Sequence, residues 1–223
     1  MNKNKSDVIV LAAGNSQRFC DKLKKQNKKI SNKSLVDIAI RYFISRKQIN
    51  NIFVAYNKNV PLNTKYKKDI TFVAGGKTRS QSVYNVLEYI VTNIKPSNNI
   101  IIHDVARPYI NKTDLNKLLN IYTTTGVALG YPITNAIKYV NKNLDVVSNI
   151  DRSNLFASYT PQKFNFRKLY TAYKKIINNR ISVDDDLEAM TYDSHKVKIM
   201  LSSPGNIKIT FKDDLYVLSK LLS

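Results

Sequence analysis

Apolar, β-branched runs recur along the chain at VIVLA (8 to 12), NIFVAY (51 to 56), DITFVAG (69 to 75), NIIIHDV (99 to 105), GVALGYPI (126 to 133) and KVKIMLS (196 to 202). Each has the length of a buried strand. Between several of them, apolar residues return with helical period in SLVDIAIRYFIS (34 to 45), SQSVYNVLEYIVTNI (80 to 94) and TDLNKLLNIYTT (113 to 124). Strands alternating with helices of this length predict βαβ units, and hence an α/β fold with a mainly parallel sheet flanked by helices. Ligands of such sheets bind beyond the C-terminal strand ends. The chemically suggestive stretches of this chain all follow a predicted strand.

Two stretches break the alternation. Residues 134 to 160 alternate polar and apolar positions around the turn signal NKNLD, which predicts a β-hairpin arm projecting from the sheet over about 135 to 158. Its apolar Val140, Val146, Val147 and Ile150 exceed what an isolated hairpin can bury, so the arm is expected to exchange with a second copy in a homodimer. The stretch NIKITFKDDLYVLSKLL predicts a short strand and then a terminal helix capped near Lys212 to Asp214. No repeat or long linker interrupts the 223 residues, and a single domain over 1 to 223 is expected.

The formal charge of +20 suggests nucleic acid at first sight. Composition changes that picture: the arginines are only 18, 41, 46, 79, 107, 152, 167 and 180, and lysine is scattered among abundant Asn, Ile and Tyr. This fits a codon bias towards A/T, so no nucleic-acid partner is expected, and positive potential in a cleft suits a small anionic substrate. Cys20 is the only cysteine and is taken as incidental; His103 and His195 are the only histidines. A disulfide framework and a Cys/His zinc site are thereby excluded, and a metal would need oxygen ligands. No apolar run approaches the roughly 20 residues of a membrane span. The start MNKNKSD leads straight into the first apolar segment. The expectation is a soluble, cytoplasmic protein without a membrane partner.

The stretch VIVLAAGNSQRF (8 to 19) ends a buried strand in Ala12, Ala13 and Gly14 before a polar loop. Small residues there let a planar or phosphorylated ligand approach the backbone, whose amides donate to an anion, and Arg18 can add a bidentate phosphate contact. The same pattern also fits an ordinary tight turn. Five further stretches shift the balance: KLKKQ with Lys25, VAGGKTRSQS with Gly76, Arg79 and Ser82, IIHDVARP with Asp104 and Arg107, NIDRSNLFASYTPQ with Arg152, and GNIKIT with Lys208. Residue by residue, simpler readings stay open: Ser82 as a helix cap, Asp104 paired with Arg107, His103 packed in its strand.

In this order and spacing, the motifs resemble those of the 2-C-methyl-D-erythritol 4-phosphate cytidylyltransferases of the non-mevalonate isoprenoid pathway, from residue 8 to about 221. The resemblance implies a Rossmann-like fold and transfer of CMP from CTP to the polyol phosphate with release of pyrophosphate. It implies that Ala12, Ala13, Gly14, Gly76, Ser82 and Asp104 line the cytidine pocket. Arg18 and Lys25 would hold the CTP phosphates together with Mg²⁺, which the phosphates themselves mainly bind. Arg107, Ala136, Arg152 and Lys208 would lie at the acceptor, with Arg152 and Lys208 on its phosphate.

The chain departs from the family pattern at Ser16, Phe19, Lys24 and Val105, and in VDDD (183 to 186). In the arm, Asn135 and Ala136 stand where the family usually has Asp-Thr. The threonine typically reaches the acceptor phosphate from the partner subunit, so Ala136 removes a hydroxyl from the acceptor side. Two other readings therefore remain at this point: a cytidylyltransferase for another polyol phosphate such as ribitol 5-phosphate, and a catalytically silent nucleotide-binding scaffold.

Overall fold

The computed structural model describes residues 5–14, 28–30, 32–62, 64–211 and 213–222. Its first half runs β1 (Ser6–Ala12), β2 (Lys29–Ile30), β3 (Lys33–Ser34), α1 (Leu35–Arg41), β4 (Ile49–Tyr56), β5 (Thr71–Ala74), α2 (Arg79–Asn93) and β6 (Asn99–Asp104). The second half adds α3 (Lys112–Asn120), β7 (Gly126–Pro132), β8 (Ile137–Val140), β9 (Val146–Ile150), β10 (Phe156–Asn165), α4 (Phe166–Asn178), α5 (Asp186–Tyr192), β11 (Lys198–Leu201) and α6 (Asp213–Leu222). The main sheet has seven strands in the order β11-β7-β10-β6-β1-β4-β5. All its neighbours are parallel except β10, which runs antiparallel to both β6 and β7.

The central strand β1 is buried along its whole length, because helices cover both faces. Val8, Val10 and Ala12 face a core with Leu35, Ile38 and Ala39 of α1. Ile9 and Leu11 point the other way, towards Val83, Val86 and Leu87 of α2 and Leu169 and Tyr173 of α4. The alternation is the two-residue period of a strand expressed in a chain that must bury both sides. Five helix starts are capped by a side-chain oxygen on a backbone amide: Ser34, Thr78, Asn111, Asn165 and Asp185. Among the described residues, no helix is long and apolar enough to cross a membrane.

Three details differ from the sequence-based expectation. The hairpin comprises only β8 and β9, paired from Ile137↔Ile150 to Val140↔Val146, whereas Phe156 already pairs with Pro132 in the main sheet. β10 itself contains Pro161, which cannot donate to a ladder. A register shift between Tyr159 and Gln162 takes the cis Thr160–Pro161 step out of the pairing, and the strand resumes beyond it. Residues 206 to 210 form no strand; Ile209 donates to the Ala106 carbonyl at 2.8 Å and buries its side chain, while Asn206 bonds through its side chain. The terminal helix is present, with the Asp214 carboxylate accepting from the Thr210 and Phe211 amides.

Candidate active site

The C-terminal ends of β1, β4, β5 and β6 meet at one edge of the sheet: Leu11 is in register with Asp104, Ala12 with Tyr56, and Tyr56 with Ala74. Small residues then bring two loops together. Gly75 donates to the Tyr56 carbonyl at 2.8 Å, carrying the β5–α2 turn alongside the end of β1. A Cβ on Gly75 would lie 2.4 Å from Ala13 Cβ and 2.9 Å from Ser82 Oγ, so only glycine permits this approach. A Cβ on Gly76 would meet Gln81 Cγ at 2.1 Å. Ser82 does not cap α2, a task that falls to Thr78. Its hydroxyl instead accepts from the Gly76 amide at 3.0 Å and donates to the Thr78 carbonyl at 2.8 Å, holding the turn from inside. Gly14 is different: among the described residues, a Cβ there would meet nothing within 4 Å.

Asp104, at the end of β6, is the electrostatic centre. Arg79 Nε stands 3.3 Å from one carboxylate oxygen and Lys208 Nζ 3.4 Å from the other, while the Asp104 amide donates to Thr160 Oγ1 at 3.0 Å. Burial alone would raise the carboxyl; Arg79, Lys208 and Arg107 together outweigh it and hold the group well below the ordinary carboxylate range. Arg79 also makes a bidentate pair with the fully buried Asp186, at 2.7 and 3.1 Å, and Tyr173 donates to the same carboxylate at 2.6 Å. The simple Asp104–Arg107 pair is therefore replaced by two other cations. His103 is packed edge-on against Phe43, and burial pushes its pKa down to about 4. It stays neutral near pH 7 and faces the core, which excludes it as an acid.

On the far side of Asp104, the loop between β11 and α6 carries Lys208. Arg107 donates to the Asn206 carbonyl at 2.8 Å, and Asn206 Nδ2 donates to the Thr160 carbonyl at 2.9 Å. Arg107, Asp104 and Lys208 thus belong to one cluster. Ala136 and Arg152 do not join it within this chain. Both are exposed at the foot of the arm, and Arg152 donates to the Thr134 carbonyl. Arg18 and Lys25 lie outside the described residues.

The structure adds Gly75, Asp186, Thr160 and Asn206, and gives Arg79 its role as a bridge. In the sequence the motif marks only the second glycine of the turn, and nothing in VDDD distinguishes Asp186 from its neighbours. Thr160 and Asn206 act through backbone neighbours, which leaves no pattern in composition.

Comparison with known proteins agrees with this geometry. The family model described as 2-C-methyl-D-erythritol 4-phosphate cytidylyltransferase (IspD) matches residues 7–223. The protein of that name from Wigglesworthia glossinidia brevipalpis is 32% identical over 220 residues, covering 95% of this chain and 94% of its own. Its counterpart from Hahella chejuensis is 30% identical, covering 96% and 92%. The crystal structure of the Francisella tularensis enzyme superposes with a TM-score of 0.80 at 28% identity, covering 97% of this chain and 99% of that one. With paired glycine turns at the strand ends, a cation-flanked aspartate between them and a match across almost its whole length, the chain belongs to the 2-C-methyl-D-erythritol 4-phosphate cytidylyltransferase family.

Proposed function

We propose that the protein transfers the cytidylyl group of CTP to 2-C-methyl-D-erythritol 4-phosphate and releases pyrophosphate, in the non-mevalonate route to isoprenoid precursors. The observation that carries this reading is Asp104, which stands between a glycine-walled slot and a cation cluster. The slot formed by Ala12, Ala13, Gly14 and the Gly75–Gly76 turn takes the cytosine and ribose. Arg107 and Lys208 take the phosphate of the acceptor. Arg18 and Lys25 act on the triphosphate.

An acceptor phosphate oxygen attacks the α-phosphorus of CTP, forming the new P–O bond as the bond to the β-phosphate oxygen breaks and pyrophosphate leaves. The nucleophile is already an anion, so no proton has to be removed. Repulsion between the anions and charge growing on the phosphorus oxygens form the barrier, and fixed cations lower it. That accounts for a site with cations on both sides and its one histidine neutral and buried. Among the described residues, no group of three or more His, Cys, Asp or Glu side chains could hold a metal. Asp104 already faces two cations. Mg²⁺ would be held mainly by the triphosphate oxygens of CTP and would supply neutralisation of charge on the leaving group.

The protein works as a homodimer in this reading. The arm exposes Tyr139, Leu144, Val146 and Val147, each more than half accessible, and among the described residues its hydrogen bonds run within itself and to its foot. Paired with a second copy, it brings Arg152 and Ala136 to the acceptor site of that copy. A pyrophosphate-release assay with CTP, Mg²⁺ and a panel of polyol phosphates tests the whole reading. Turnover with methylerythritol phosphate at least tenfold above ribitol 5-phosphate, a factor of ten being about 1.4 kcal/mol, is the expected result; the reverse order, or no turnover with any acceptor, refutes it.

A further inference from the structure

Tyr159 lies in β10, immediately before Thr160, and its side chain is buried to 4% exposure. Its ring carries the Arg107 guanidinium, whose Cζ is 5.6 Å from the ring centroid. Its hydroxyl stands 2.7 Å from Ser202 Oγ and donates to the Ser203 carbonyl at 2.5 Å. The Ser203 amide in turn donates to the Asp114 carboxylate of α3 at 2.8 Å. Ser202 and Ser203 open the loop that ends in Asn206 and Lys208. The same side chain therefore supports Arg107 from below and fixes the start of the segment bearing Lys208. The adjacent Thr160 fixes that segment a second time through Asn206.

We propose that Tyr159 is a positioning residue for the acceptor phosphate, holding Arg107 and the Lys208 loop at a fixed separation without touching either substrate. This rests on the assignment of Arg107 and Lys208 to the acceptor. The ring supplies an apolar, electron-rich floor that a buried guanidinium tolerates. The hydroxyl ties that floor directly to the start of the loop. If the loop shifts by an ångström, Lys208 and Arg107 no longer meet one phosphate together.

The test is steady-state kinetics on Tyr159→Phe, Lys208→Ala and the double variant, varying CTP and methylerythritol phosphate separately. Tyr159→Phe keeps the ring and removes the hydroxyl's contacts with Ser202 and Ser203; the apparent KM for the acceptor should rise about three- to tenfold and that for CTP should stay within about twofold. In the Lys208→Ala background the same change should have little further effect, because its target is gone. Asp114→Ala, which frees the Ser203 amide from α3, should reproduce the acceptor-specific defect through a different side chain. Equal loss for both substrates, or full additivity with Lys208→Ala, would mean that Tyr159 is a packing residue and overturns the proposal. Should Lys208→Ala itself leave the acceptor KM unchanged while Tyr159→Phe raises it, the acceptor assignment fails and the proposal with it.

Discussion

Replacing Gly75 with alanine tests the proposed nucleotide slot where the β5–α2 turn meets the end of β1. The added Cβ would sit 2.4 Å from Ala13 Cβ and 2.9 Å from Ser82 Oγ. Carbon atoms rest about 3.5 to 4.0 Å apart, so one wall must retreat by about 1 to 1.5 Å. Neither wall is the free end of a flexible side chain. Ala13 is carried by the backbone just beyond β1, and Ser82 is bonded on both sides within its turn. Overpacking of this kind costs about 1 to 3 kcal/mol. For a domain of this size, each kcal/mol lowers the melting temperature by about 2 to 4 °C. In the proposed reading the displaced wall is the one against which the cytidine lies, so the loss falls on CTP binding. Calorimetric titration with CTP should show affinity reduced at least tenfold, or by about 1.4 kcal/mol. Gly14→Ala is the control for folding: its Cβ meets nothing among the described residues, and no glycine here has positive φ, so stability should hold or improve slightly. A Gly75→Ala protein that melts within about 1 °C of the parent and binds CTP normally would refute the steric argument.

Lys25→Ala should reduce kcat by roughly 100-fold or more while weakening CTP binding far less, since a cation on the triphosphate gains most as charge builds in the transition state; single-turnover rates at saturating CTP decide it, and an unchanged rate assigns the task to a neighbouring lysine. His103 lowers stability in mild acid: its folded pKa is about 4 against 6.5 when free, so the unfolded state takes up the proton first and stability falls as pH drops from about 6.5 towards 4, by up to about 3 kcal/mol. Denaturant titrations of His103→Leu should show that slope largely flattened, whereas a parallel slope would place the titrating group elsewhere. If the proposed homodimer forms, Val147→Asp on the exposed arm should convert it to monomer in light scattering and raise the acceptor KM; an active, monomeric parent protein contradicts the proposed dimer directly.

Much of the frame was legible because the parallel strands are buried on both faces. NIIIHD and VIVLA can hardly be anything but interior strands, and the helices between them keep a clean period. The misses share a physical cause. β10 carries its proline outside the ladder, a compensation visible only in three dimensions. The FNFRKLYTAYKKII segment that forms α4 carries its own start signal, the Asn165 cap, but lies directly against β10 with no intervening loop to set it apart. At the site, motif positions announced Asp104 and Lys208, yet not that they face one another. Their contact spans more than a hundred residues of chain, and Arg79, which completes it, is chosen by Asp186 from farther still. Long-range charge pairing leaves no local period to detect.

The placement of β10 has a consequence for how the chain is made. β1, β4, β5 and β6 come from the first 104 residues and can pair as soon as they leave the ribosome. β6 then presents NIIIHD as a naked edge, the arrangement that templates aggregation. The strand that covers it ends at Asn165, about 60 residues later, and at roughly 5 to 20 residues per second that edge waits about 3 to 12 seconds. The antiparallel β10 is thus the cover for an otherwise adhesive half-sheet, and a nascent chain stalled ahead of Phe156 displays an unpaired strand edge centred on Ile100, Ile101 and Ile102 to every neighbouring copy.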